Sequence, residues 1–496
     1  MRFGLPVETV SDDPLPSEIL GYVSVRGPQS VFDPGVTTLN TSAGAYHATS
    51  SDRSEVGRNL QSEGFTILVE SPLGLSVSGP PDAYHSLTGG TVIARERLSR
   101  AEAGYHLYRT HLDITGEHQP NAFGVGRARP AHAKIDGILL EQPRALHSVF
   151  PSPSPPSSPK FHLRVPDDVA ATLNAVAAHR NGMIGHGIAV AMPDTGFYRH
   201  PFFIAQHYTV ATPITVVPRT DRSKDPVGHG TGEAANIFAL APGCTLQPIR
   251  ASDNQGNLVA AIAGFLKAKE TNPRIITCSW GGDEEYPPPG PPNQMDLAVA
   301  AEIQDAIQRG ILVIFSAGNG QFSVEPQVPG VLAAGGVFAD QSGSLRASDY
   351  ASGYQSTWFD RPVVPTVCGL VGMQPRAQYL MLPVPPACEI DQEEAGATSD
   401  DPSDGTPSDD GWALFSGTSA AAPQLAGAAA LLLGAKPAMT PVQVIEALSR
   451  TAVDVVVGRS FPQRFNEPAG PGPDLATGAG LIDVGAALQY ATDHFP

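Results

Sequence analysis

Four polar side chains in this sequence stand where nucleophilic chemistry could be run. Ser419 lies in FSGTS, directly ahead of AAAPQLAGAAALLL, an Ala/Leu segment of the kind that forms a buried helix. A serine at the mouth of such a helix has two readings. It caps the helix by accepting a backbone N–H, or it is a nucleophile set where first-turn amides and the helix dipole favour developing negative charge. His229 sits between two glycines in DPVGHGTGEAANIF, and glycines at a strand-to-helix turn also occur for backbone reasons alone. Asp194 closes AMPDTG after an apolar run, a pattern that turn chemistry also produces. Asn319 ends FSAGNG, either as a left-handed turn former or as an amide aimed at an oxyanion. Together they supply a hydroxyl, a base to take its proton, a carboxylate to orient that base and a donor for the oxyanion. The order Asp, His, Ser excludes the α/β-hydrolase arrangement, which puts its serine first in a G-x-S-x-G turn.

Each candidate needs a rigid element to hold it. Residues 187–196, 274–282 and 311–320 are apolar runs that end in small polar residues, as expected of strands buried on both faces of a parallel sheet. Helical patterns lie between them: NLVAAIAGFLKAKE, LAVAAEIQDAIQRG with Gly310 as its C-cap, and later Thr440-Pro441 as N-cap and first helical residue. This alternation predicts a doubly wound, mostly parallel α/β sheet, whose sites gather at the C-terminal strand ends.

The first part of the chain has a different texture. Strands are expected at ILGYVSVRG, TILVES, GLSVSGP and TVIARERL, and helices at SEVGRNLQSEGF and DAYHSL. The order βαββαβ is that of a small α+β ferredoxin-like module. The division expected is residues 1–98 for this module, 99–160 for a connecting segment, and 161–496 for the α/β domain. The Pro/Ser tract at residues 151–159 reads as an extended, exposed linker open to cleavage.

Composition excludes some partners. The formal charge of −18 over 496 residues repels nucleic acid and anionic membranes. The longest apolar segment, residues 420–433, is too short to span a bilayer. The N-terminus has no signal-peptide pattern because Pro6, Glu8, Asp12 and Asp13 interrupt any apolar run. A cytoplasmic monomer is therefore expected, with secretion by another route as the alternative. Four cysteines, Cys244, Cys278, Cys368 and Cys388, suit free thiols better than a disulfide framework.

DTG at Asp194, GHGTG at His229, SWGG at Ser279, SAGNG at Asn319 and GTSAAAPQLAGAAALLL at Ser419 together resemble the subtilisin-like serine peptidases, the subtilase family. The resemblance covers residues 165–488 and includes the closing TGAGLIDVGAAL. It implies an endopeptidase acting on protein or peptide substrates, with Ser419 as nucleophile, His229 as general base and then acid, Asp194 as its orienter and Asn319 as oxyanion donor. Ser279-Trp280-Gly281 and Ser316-Ala317-Gly318 resemble the two segments that flank the substrate. The N-terminal module resembles the family pro-domain, which implies a zymogen that cuts itself between the module and Lys160; the alternative is a permanent accessory domain for partner recognition. A sedolisin-type acid peptidase shares the Ser-Gly-Thr-Ser block but has a carboxylate as base, so an optimum near or above neutrality is expected here. The remaining alternative is a silent relative that only binds peptides.

The chain also departs from the family. Gly232-Glu233-Ala234-Ala235 replaces a second His and Val-Ala-Gly, a change expected to alter the helix surface and leave the triad untouched. The short link to LAPG leaves no room for the calcium loop of many secreted members, so no cofactor is expected. Ala420 stands in the place of the family Met. An acidic insertion at about residues 371–412 reads as a solvated, disordered loop; Asp400, Asp401 and Asp404 within it lack calcium-loop spacing.

Overall fold

The computed structural model describes residues 8–10, 15–33, 36, 42–102, 105–120, 122–146, 161–360, 362–375, 377–395 and 404–495. The N-terminal elements are β1 (Ile19–Val25), α1 (Ser50–Ser62), β2 (Thr66–Glu70), β3 (Gly74–Gly79), α2 (Pro81–Thr88), β4 (Thr91–Glu102), β5 (Tyr105–Thr115) and β6 (Ile135–Leu140). Thr49 starts α1 by accepting from the Asp52 N–H. The sheet runs β2-β3-β1-β6, all neighbours antiparallel, which is the split βαβ arrangement. Val23, Leu75, Val77, Ile138 and Leu140 pack on Val56 and Leu60 of α1 and on Tyr84 and Leu87 of α2.

One strand differs from the expectation. The Thr91 segment is a strand, but β4 pairs with β5 and with Glu8–Val10 in a separate sheet. The strand that completes the module is β6, within a stretch whose sequence carries no readable pattern. Its burial explains the difference: five of its six residues are buried, so IDGILL lacks the alternation of a half-exposed strand. The module sheet therefore draws on residues well beyond position 98.

The second unit contains β7 (Ala189–Asp194), α3 (His229–Leu240), β8 (Thr245–Arg250), α4 (Ala261–Glu270), β9 (Ile275–Cys278), α5 (Gln294–Gln308), β10 (Leu312–Ser316), β11 (Leu332–Ala339), β12 (Val367–Leu370) and α6 (Thr418–Ala435). The strands run β8-β7-β9-β10-β11 in parallel, with β12 parallel to β11. Helices wind about this sheet in the doubly wound α/β manner expected. The apolar segment expected to be too short for a bilayer lies in α6, an 18-residue helix that alone among the described residues has the length and apolar composition to cross a membrane, yet it is 89% buried as the core helix beside α3. Gly427 permits that contact, since a Cβ there would lie 2.5 Å from the Ile237 carbonyl.

The second face of the module sheet rests on α4 and α5 through Tyr22, Val69, Leu73 and Leu139. A buried polar network ties the two units. Tyr22 Oη (2.7 Å) and Ser71 Oγ (2.6 Å) donate to Glu302 Oε1. Lys269 pairs with Glu302 and, at 2.8 Å, with Asp305, and His47 Nε2 meets Asp305 Oδ1 at 2.9 Å.

The acidic segment is more ordered than expected. Leu380–Pro383 and Trp412–Phe415 pair antiparallel, and Leu163–Arg164 joins them. Asp404 is buried, accepting from the Leu414 and Thr406 amides. Asp391 is buried as well and accepts from the Ala387 and Gly411 amides. These carboxylates satisfy backbone donors instead of facing water. Asp400, Asp401 and the Pro/Ser tract lie outside the described residues. All four cysteines are free and buried.

Candidate active site

Strand ends and helix starts deliver the site residues to one rim of the sheet. Asp194 is the last residue of β7, Ser316 the last of β10, His229 the first of α3, and Ser419 the second of α6. Backbone geometry demands the glycines around the histidine. Gly228 adopts φ +91° as the N-cap of α3, and a Cβ on Gly230 would lie 2.4 Å from the Gly196 carbonyl. That close approach lets His229 Nδ1 donate to Asp194 Oδ1 at 2.7 Å, with both side chains buried.

Asp194 Oδ1 also accepts from the Thr195 amide at 2.7 Å. Asp225, which no sequence motif singles out, anchors the start of α3. It accepts from the amides of Gly228 (3.0 Å) and Thr231 (2.8 Å) and from the hydroxyls of Thr195 and Thr231. Burial pushes its carboxyl up, and those hydrogen bonds oppose the rise.

Ser419 Oγ donates to the Ser279 carbonyl at 3.2 Å, while Ser279 Oγ donates to the Ser419 carbonyl at 2.8 Å. His229 Nε2 has no hydrogen-bond partner among the described residues. The Ser–His hydrogen bond is therefore not formed in this structure. Asn319 Oδ1 accepts from the Thr418 amide (2.9 Å) and hydroxyl (3.1 Å), which leaves its buried Nδ2 without a partner among the described residues. Gly318 N donates to Thr418 Oγ1 at 3.1 Å, so residues 316–319 are tied to the start of α6. Trp280 Nε1 donates to the Pro193 carbonyl at 2.8 Å, which holds Trp280–Gly281 beside β7.

Glu233 corrects an expectation. It does not alter the surface of α3; it is fully buried, with Oε1 3.9 Å from His229 Nε2. A spacing of four residues brings the two side chains to one helix face, and that spacing was the available signal. Asn236 Nδ2 holds the other oxygen at 3.0 Å. Burial pushes Glu233 up to about 8 despite the attraction of His229. For His229, burial pulls downward, but the Asp194 charge and hydrogen bond, aided by Glu233 and Asp225, outweigh it and lift the imidazole to about 9.

The Trp280–Gly281 strand is also paired. Ala145–Leu146 pairs antiparallel with Trp280–Gly281, Leu146 opposite Trp280 and Ala145 opposite Gly281. The N-terminal module thus lays its last described segment beside Ser279, the residue bonded to Ser419.

Residues 185–480 match the model of the subtilase family. The chain belongs to that family. Subtilases are serine endopeptidases, and this chain is a subtilisin-like member. It is 25% identical over 298 residues to subtilisin Savinase of Lederbergia lenta, covering 57% of this chain and 90% of that one. It is 25% identical to the alkaline protease of Alkalihalobacillus alcalophilus, with 63% of that protein covered. Subtilisin E of Bacillus subtilis is 27% identical over 329 residues, 64% of this subtilase and 70% of its relative. Fervidolysin of Fervidobacterium pennivorans, described as a keratinolytic enzyme related to subtilisin, shares the fold. Its TM-score is 0.55 at 20% identity, over 95% of this chain and 61% of that one.

Proposed function

We propose that this subtilase hydrolyses peptide bonds of protein substrates through Ser419, His229 and Asp194, with Asn319 as oxyanion donor. The observation that carries the reading is the buried Asp194–His229 pair, 2.7 Å long, whose outer nitrogen has no hydrogen-bond partner among the described residues. Ser419 Oγ turns from the Ser279 carbonyl toward His229 Nε2 as it attacks the scissile carbonyl. Resting-state hydrogen bonds at such sites are often loose and tighten with substrate. His229 takes the serine proton, and Asp194 holds Nδ1–H and stabilises the imidazolium. The oxyanion is met by Asn319 Nδ2 and by the Ser419 backbone N–H at the start of α6. His229 returns its proton to the leaving amine, and water attacks the acyl-enzyme by the same route.

The chain is made as a zymogen in this reading, with residues up to Leu146 as a pro-module and the cut falling between Leu146 and Phe161. Pairing of Ala145–Leu146 with the cleft edge supports it, as does the module's packing on α4 and α5. A second reading, a silent peptide-binding relative, is favoured by the bond from Ser419 Oγ to Ser279 in place of His229. Fluorophosphonate labelling separates the two: covalent modification of Ser419 in wild type supports the peptidase, and none supports the silent relative.

A further inference from the structure

The segment that lies on the cleft edge carries a buried cation. Arg144 immediately precedes Ala145–Leu146, and its Nη1 sits 3.1 Å from Glu325 Oε1, with side chains 6% and 0% exposed. Glu325 Oε2 in turn accepts from the Gly282 amide at 3.3 Å, the residue after the Trp280–Gly281 edge strand. Two further acids converge on the guanidinium electrostatically, Glu284 from the loop beyond that strand and Asp296 from the first turn of α5. Burial raises both carboxyls; Arg97 and then Arg144 oppose the rise at Glu284, and Arg144 opposes it at Asp296.

Glu325, paired with Arg144, and Asp296 are thus buried carboxyls, while half-buried Glu284 is shared between Arg144 and Arg97. Leaving such acids buried without a cation is costly, whereas a planar, weakly hydrated guanidinium satisfies them. Glu325, Glu284 and Asp296 all belong to the peptidase, while Arg144 belongs to the module. Any peptide that replaces the module on the edge strand meets the same three acids.

We propose that Glu325, Glu284 and Asp296 form a subsite of the cleft that selects an arginine side chain in the substrate, two residues before the one held against Trp280. Arg144 is its occupant within the chain. The proposal rests on the peptidase reading above and adds the class of substrate to it, a polypeptide with arginine at that position.

Internally quenched peptides with the sequence of residues 141–150, carrying Arg, Lys or Leu at position 144, test it on the full-length wild-type chain. The arginine peptide is expected to exceed the leucine peptide in kcat/KM by about 30-fold or more, as loss of one member of a buried ion pair implies. The lysine peptide should fall between them, because an ammonium lacks the planar fork. Glu325→Gln is expected to bring the arginine-to-leucine rate ratio down toward one, and Glu284→Gln serves as the second variant if the first does not fold. Equal rates for the arginine and leucine peptides overturn the subsite, and so does failure to cleave the arginine peptide while Ser419 is labelled by fluorophosphonate. An unlabelled Ser419 overturns the peptidase reading instead.

Discussion

Replacing Glu233 by Gln should move the pH dependence of catalysis toward acid. The Glu233 carboxylate lies 3.9 Å from His229 Nε2 inside the protein. Coulomb's law at that distance is worth about 4 kcal/mol at an effective dielectric of 20 and about 1 kcal/mol at 80. At about 1.36 kcal/mol per unit, the carboxylate lifts the imidazole by about 1 to 3 pH units. The sign follows from charge: ionised Glu233 stabilises the imidazolium, so its removal lets His229 lose its proton at lower pH. Glu233 is held up to about 8 and His229 up to about 9, so the carboxyl is largely ionised where the imidazole titrates, and the two titrate as a pair. The other groups near the imidazole are Asp194 and Asp225, with Cys278 facing Asp194. None of these changes in the variant. The assay is kcat/KM against pH between about 6 and 10 on a neutral peptide, where the rising limb reports the free base. Wild type should rise near pH 9, and Glu233→Gln between about 6 and 8. Gln keeps the shape of the side chain and can still bond Asn236, so a loss of folding is not the expected result. Superimposable profiles would refute the idea that Glu233 acts on the base.

Other outcomes follow from the same geometry. Asn319→Ala should lower kcat by about 100- to 1,000-fold with KM little changed, since loss of one oxyanion donor costs about 3 to 4 kcal/mol of barrier, the magnitude established for the oxyanion asparagine of a subtilisin; unchanged turnover removes Asn319 from the mechanism. Incubated wild type should shorten by a cut between Leu146 and Phe161 while Ser419→Ala stays intact by mass, and identical uncut masses would end the zymogen reading. Lys269→Met strips the buried carboxylates of Glu302 and Asp305 of their shared cation. It should lower stability by about 3 to 5 kcal/mol in denaturant unfolding, and an unchanged midpoint would mean that the network contributes little.

Much of the site is legible in the sequence because its signals are local. Apolar runs that end in Asp194, Ser279 and Asn319 mark buried strands, and glycines around His229 mark a turn that a side chain would block. Long-range pairing is less legible. The Thr91 segment reads as a strand, but its pattern does not reveal which strand lies beside it, because backbone hydrogen bonds carry no residue identity and pairing is decided by what each face buries. Asp404 and Asp391 read as members of a solvated acidic run, yet each has backbone donors that only the folded segment assembles.

Local pattern was enough for the sheet class, the helix that carries Ser419 and the residue types of the candidate set, since periodicity, capping and glycine placement act over a few residues. Folding was needed to bring Arg144 to Glu325 across 181 positions, to lay residues 145–146 beside Trp280–Gly281, and to bury Glu233 against His229. Desolvation makes the difference. A charge four residues along a helix or in a distant loop acquires its energy and its role only when neighbouring elements exclude water around it, and no local pattern reports which elements those are.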